Sequence, residues 1–200
     1  MNTQTPNLRK REKGLTSPKK VQLLDSNNNK LFTNKGQPSF TPQSTLDQTI
    51  SISIASGIPI SSYSLSFTNN ATSDPANARF IPGKLTTSGL ELTRTFDQWS
   101  PLVFHRLASA TTFKTLVLVN FSNVGAGGGN RIMSVLTFSN VLLVNQSIVG
   151  SGDGAGPPTE NLQFIYGKVQ VAYQPMEASG KAGNPVQADW DLFGNKGSVS

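Results

Sequence analysis

Several kinds of chemistry are missing from this chain. It contains no cysteine among its 200 residues, so a disulfide framework, a thiolate metal site and a cysteine nucleophile are all excluded. A single histidine, His105, has no companion at metal-ligand spacing, and a satisfied or surface role is expected for it. Charged residues make up only 14% of the chain. No stretch of about 18 apolar residues could span a bilayer, and the N-terminus has no apolar signal core. The expectation is a chain made and folded in the cytosol, without membrane insertion, and exported only through a machine that reads no cleaved leader. Sustained helical periodicity is also absent. Val, Ile, Thr, Ser and Phe are plentiful between frequent turn residues, a composition that favours a β-sandwich or β-barrel.

The net charge of +6 is concentrated at one end. Residues 1–35 carry eight basic side chains against Glu12 and Asp25, a surplus that accounts for the whole net charge. The remaining chain is balanced. Residues 1–45 are rich in Asn, Gln, Lys, Ser, Thr and Pro, and they hold too little apolar surface to fold alone. The expected division is therefore a flexible basic extension over 1–45 and a β-domain over 46–200. The extension reads as a solvated tail or as an arm docking on a neighbouring subunit through Val21–Leu24 and Leu31-Phe32. Nucleic-acid binding through Arg9–Lys13 is disfavoured, because no aromatic residue is interleaved to stack a base.

Within the body, Ile50, Ile52 and Ile54 alternate with serines as a half-buried strand. Tyr63, Leu65 and Phe67 then alternate with Ser62, Ser64 and Ser66, so one face enters a core and the serine face meets water or another wet surface. Asn69–Gly83 reads as a long polar loop carrying Phe80 and Ile81. Strand character resumes over Lys84–Phe96 with Leu90 and Leu92 inward. Ser100 as cap and Pro101 at the first helical position predict one short helix over Pro101–Ala108. Thr112–Phe121 and Ile132–Phe138 read as a hairpin with a glycine-rich tip, and Val141–Val149 as a further strand beyond an interruption at Asn140.

The C-terminal stretch is the most informative. Leu162, Phe164 and Tyr166 alternate on one parity, while Val169, Val171 and Tyr173 alternate on the other. Side chains repeat every two residues along a strand, so this switch predicts a β-bulge at Gly167. Gln174-Pro175 ends the strand. Val186, Ala188, Trp190 and Leu192 predict a last strand with one buried face, leaving Asp189 and Asp191 outside.

Glu160-Asn161, the run Val169–Pro175, and Asn184-Pro185-Val186 ahead of Trp190 resemble the C-terminal third of Hcp, the ring-forming inner-tube protein of bacterial type VI secretion systems. The resemblance covers roughly Ile50–Leu192 and is absent from the first 45 residues, where the basic arm departs from the family pattern. It implies an all-β fold, a small barrel of two packed antiparallel sheets with one short helix. It further implies homohexameric rings stacked into a hollow tube inside a sheath, tipped by a spike protein and carrying effector proteins in the lumen. The tube would be cytoplasmic when assembled and secreted on firing. By position, Ser62, Ser64 and Ser66 would line the channel. Phe80 and Ile81 would reach the neighbouring ring, and Tyr173 would join the subunit interface.

No enzymatic constellation accompanies these features. No serine sits in a G-x-S-x-G elbow, and the glycines from Gly125 join two strands rather than opening a helix. No catalytic residue, metal or cofactor is expected. Two other readings stay open: a tail-tube protein of a phage or phage-derived injection particle, and a nucleic-acid-binding or capsid-like barrel with a basic arm.

Overall fold

The structure is a computed structural model that describes residues 19–24, 57–123, 130–152, 156–175, 177 and 182–200. For residues 19–24, 122, 123, 130 and 131 it describes the backbone alone. The predicted strand at Ile50–Ile54, the glycine-rich tip at 124–129 and the basic run at Arg9–Lys13 lie outside the described residues.

The elements run β1 (Lys19–Leu24), β2 (Ile58–Ile60), β3 (Ser62–Asn69), β4 (Thr72–Asp74), β5 (Arg79–Ile81), β6 (Leu85–Thr95), α1 (Ser100–Ala108), β7 (Thr112–Asn123), β8 (Asn130–Val149), β9 (Thr159–Ile165), β10 (Lys168–Tyr173), β11 (Val186–Asp191) and β12 (Lys196–Val199). Every strand pairing among the described residues is antiparallel. β1 pairs with both β2 and β7, β7 with β8, β8 with β9, β9 with β6, and β6 with β3. β2 runs into β3 through Ser61, whose N–H donates to Thr93 O at 2.8 Å. The path therefore returns to its start, a closed barrel. Part of the polar extension thus belongs to the sheet, because Lys19–Leu24 is the strand that closes it. The same sheet branches where the first half of β8 pairs with β10, followed by β11 and β12, a wing with β12 at its free edge.

The barrel interior holds Leu90, Leu92, Phe113, Leu116, Leu118, Phe138, Val141, Leu162, Phe164 and Val169, all buried. Each such side chain is worth about 1.5–3 kcal/mol of transfer free energy, which makes this the main stabilising mass. Val103 of α1 sits with Ile58, Ile60, Leu92, Leu162 and Phe164, so the helix packs its one buried apolar residue onto the barrel interior. A smaller cluster of Val119, Phe121, Ile132, Val135 and Ala172 forms where β7, β8 and β10 meet.

No bulge occurs at Gly167. The register of β8 with β9 and β10 is the same on both sides of it, Leu142 facing Ile165 and Ser139 facing Lys168. The parity nonetheless switches, and it does so in three strands at one level. Phe113, Val141 and Tyr166 are buried on one side of the switch, and Leu116, Phe138 and Val169 on the other. Asn140, at φ 55, occupies the left-handed region at this level, where an asparagine is better tolerated than most residues. The feature is a crease shared by β7, β8 and the β9–β10 pair. It rotates all three together, so one sheet serves both barrel and wing without an extra residue.

Three other expectations change. Asn140 does not interrupt β8, which is continuous over 20 residues. Ser100 does not cap α1, since its Oγ accepts from Asp97 N at 3.0 Å and donates to Glu160 Oε1 at 3.0 Å. Part of the Asn69–Gly83 loop is the separate β4–β5 hairpin, with a 3-10 turn at Pro75–Asn77.

Candidate functional site

Ser62 and Ser64 face outward from β3, while Tyr63 and Leu65 pack against the core. The antiparallel register carries this outward face across four strands. One row reads Ser62, Thr93, Asn161, Ser147, and the next reads Ser64, Glu91, Gln163, Asn145. The result is a polar wall of hydroxyls and amides in which Glu91 is the one charged side chain. Thr93 Oγ1 donates to Asn161 Oδ1 at 2.8 Å, which ties two of its strands through side chains. A shallow depression of about 270 Å³ lies over Glu91, Thr93, Asn145, Asn161 and Gln163.

Ser66 is exposed but lies beyond these rows. β6 has one extra residue opposite it, because Leu65 faces Leu90 while Phe67 faces Thr87. Ser66 N donates to Ser88 Oγ at 3.2 Å, and Gly89 takes up the bulge at φ 81.

Phe80 and Ile81 lie on β5 and are 80% and 46% exposed, so neither tucks back onto the barrel. Their hairpin is braced by Arg79 with Asp74 at 3.4 Å and by Asn77 Nδ2 donating to Asp74 Oδ2 at 2.8 Å. The Asn77 hydrogen bond leads in holding the Asp74 carboxyl below its ordinary range.

Tyr173 is half-exposed on β10, paired with Val186, and next to it Val171 pairs with Ala188. Val186 and Ala188 were expected on a buried face, and both are exposed, as is Val171 on the strand beside them. The crease explains this. Val169 lies over the barrel interior, whereas the same face farther along the wing runs out past it. An apolar groove of about 510 Å³ results, lined by Phe67, Leu85, Val171, Ala188, Trp190 and Val199 among others. An exposed apolar surface of this kind marks a place where another surface binds.

The remaining predicted polar residues have structural work. Asp189 is paired with Lys168 and hydrogen-bonded by Ser198. Lys168 first, then Ser198, lowers its pKa. Asp191 Oδ1 accepts the N–H groups of Phe193 and Gly194 at 2.9 Å each, closing the β11–β12 turn and lowering the Asp191 pKa through Gly194 first. His105 is exposed on α1. Among the described residues no group of three His, Cys, Asp or Glu is placed to hold a metal ion, and no helix is long and apolar enough to cross a membrane.

Sequence reasoning missed one polar centre, Arg94 with Glu160. Glu160 is fully buried, and its carboxylate takes Arg94 Nε at 3.1 Å, Ser100 Oγ at 3.0 Å and Gln146 Nε2 at 2.8 Å. The inward parity of Arg94 among Leu90 and Leu92 was the available signal.

A closed antiparallel barrel with a branching wing and a broad outward polar wall defines a structural β-barrel built to meet other surfaces. The family described as "Type VI secretion system effector, Hcp" matches residues 52–173, well over half of the chain, and the chain belongs to it. It is a tube subunit of a type VI secretion system. Solved structures share the fold. One described as a type six secretion system protein has a TM-score of 0.73 at 20% identity, covering 92% of this chain and all of the other. Hcp1 from Salmonella typhimurium gives 0.62 at 16% identity, covering 90% and 99%. The secreted protein Hcp3 from Pseudomonas aeruginosa gives 0.51 at 16%, covering 88% and 98%. Comparison with curated proteins by sequence finds no match.

Proposed function

We propose that six copies close into a ring with the polar wall turned to the centre, and that the rings stack into a tube that carries effector proteins. What supports this is the pair of outward rows across β3, β6, β9 and β8. Four neighbouring strands there present hydroxyls and amides to a wet space, opposite an apolar interior. Ser62 and Ser64 belong to the channel surface, with Ser66 at its margin. Tyr173 and its neighbours Val171 and Val186 lie in the contact between subunits, where head-to-tail association covers an apolar face that closes into a ring when the rotation permits. Phe80 and Ile81 reach the next ring. Sheath proteins surround the tube and a spike protein caps it. The protein acts by assembly and has no catalytic role. It is cytoplasmic in the assembled tube and leaves the cell on firing.

Mass in solution tests this together with negative-stain images. Six copies of 21.4 kDa give about 128 kDa, and end-on views should show rings with an open centre. A salt-independent monomer at all concentrations would remove the reading.

A further inference from the structure

Glu91 differs from the other described carboxylates. Asp74, Asp97, Glu160 and Asp189 are each held by an arginine or a lysine, Asp191 by two backbone N–H groups, and Glu177 too has an interaction of its own. No ion pair or side-chain hydrogen bond with a described residue engages the Glu91 carboxylate, which stands exposed in the middle of a wall otherwise made of neutral side chains. An uncompensated carboxylate has no stabilising partner to explain it, and its neighbours Ser64 and Gln163 bring no charge.

We infer that Glu91 makes this surface selective for cationic protein cargo. The inference rests on the proposed ring. Six-fold repetition would place six carboxylates at one level of the channel, and stacking would repeat that level along the tube. Charges of one sign lining a concave, low-dielectric wall focus their field into the enclosed water and raise the local concentration of counter-charged solutes. Hydroxyls and amides around each carboxylate offer hydrogen bonds to almost any protein surface and so discriminate little. The carboxylates therefore set the preference. At this wall, proteins presenting lysine or arginine are favoured over acidic ones. Exposed charge contacts are individually weak, so cargo is held by several at once and remains releasable.

The test uses rings of the full chain, verified by negative stain, with short fluorescent polylysine and polyglutamate peptides as probes. The basic residues of 1–35 are common to wild type and variants, so the readout is the difference made at Glu91. Wild-type rings should bind polylysine more tightly than Glu91→Gln rings, with that difference shrinking between about 50 and about 300 mM salt as the Debye length shortens. Glu91→Gln rings should lose polylysine affinity about tenfold, the equivalent of two or three exposed contacts. Glu91→Asp should retain it, and Glu91→Lys should turn the preference to polyglutamate. Intact Glu91→Gln rings that bind polylysine as tightly as wild type would overturn the inference and leave the ring standing. Wild-type protein without rings would overturn both.

Discussion

Arg94 and Glu160, 66 positions apart in sequence, meet inside the barrel with Nε and Oε1 3.1 Å apart and almost no solvent exposure on either side chain. The pair joins β6 to β9. Through Ser100 and Asp97 it also fixes the start of α1, since Ser100 Oγ donates to Glu160 and Asp97 pairs with Arg94. One buried ion pair thus sets the position of the helix against the barrel.

Breaking that pair from one side should be costly. Glu160→Ala leaves a buried guanidinium with Asp97 as its one remaining carboxylate and Thr95 O as a neutral acceptor, and removal of one partner of a buried pair costs about 3–5 kcal/mol. Replacing both residues together, Arg94→Leu with Glu160→Leu, should recover a large part of the loss, because no buried charge then remains. Urea unfolding of the two single variants and the double variant checks this. Additive losses would show that the two residues are not coupled.

Gly89 gives a second, purely backbone prediction. It holds φ 81 at the β6 bulge, and a Cβ there would lie 2.6 Å from Phe164 O. Neither the backbone angle nor the carbonyl of a core strand can yield cheaply. Gly89→Ala should destabilise by about 1–3 kcal/mol, read as a lower denaturant midpoint. Gly152, with open space around its Cβ position, should accept alanine with little change.

The wing should respond to acid. Asp189 and Asp191 both have pKa values lowered below 3.8 in the folded chain, by Lys168 and Ser198 and by the β11–β12 turn N–H groups. A lowered carboxyl pKa means that the folded state prefers the ionised form. The stabilisation is therefore complete above the unfolded value and is lost as pH falls through the folded one. Hydrogen exchange at pH values descending through and below 3.8 should show β11 and β12 losing protection first. Protection in the wing that does not change with pH over that range would refute the assignment.

These features were unequally legible in the sequence. The serine alternation showed its two faces over Ser62–Leu65, where one is packed against the core and the other is wet, but past the β6 bulge Phe67, expected inward, is exposed. The parity switch after Tyr166 was visible too, but its cause was not. A bulge and a crease leave the same trace in one strand, and only the matching switches in the partner strands, between Phe113 and Leu116 and between Phe138 and Val141, tell them apart. The wing misled for a related reason. Val171, Val186 and Ala188 alternate as a buried face does, since an apolar face left exposed on the single chain carries the same pattern as one packed inside it. The polar wall required the register of four strands, and no single segment contains it.

The two apolar surfaces should separate genetically. Phe80 stands 80% exposed on a short hairpin outside the barrel, whereas Tyr173 and Val171 belong to a continuous sheet face beside the groove. Neither Phe80 nor Tyr173 is buried in the core, so polar replacement at either should change the free energy of unfolding by no more than about 0.5 kcal/mol. If Phe80 and Ile81 bridge rings, Phe80→Ser with Ile81→Ser should leave single rings that no longer stack. If Tyr173 lies between subunits, Tyr173→Asp with Val171→Asp should abolish the ring itself, because paired carboxylates in an apolar contact carry a large desolvation cost. Analytical ultracentrifugation with negative stain distinguishes stacks, rings and folded monomers. Stacked tubes from the Tyr173 and Val171 variant would exclude that face from the subunit contact and move the search to the free edge at β12.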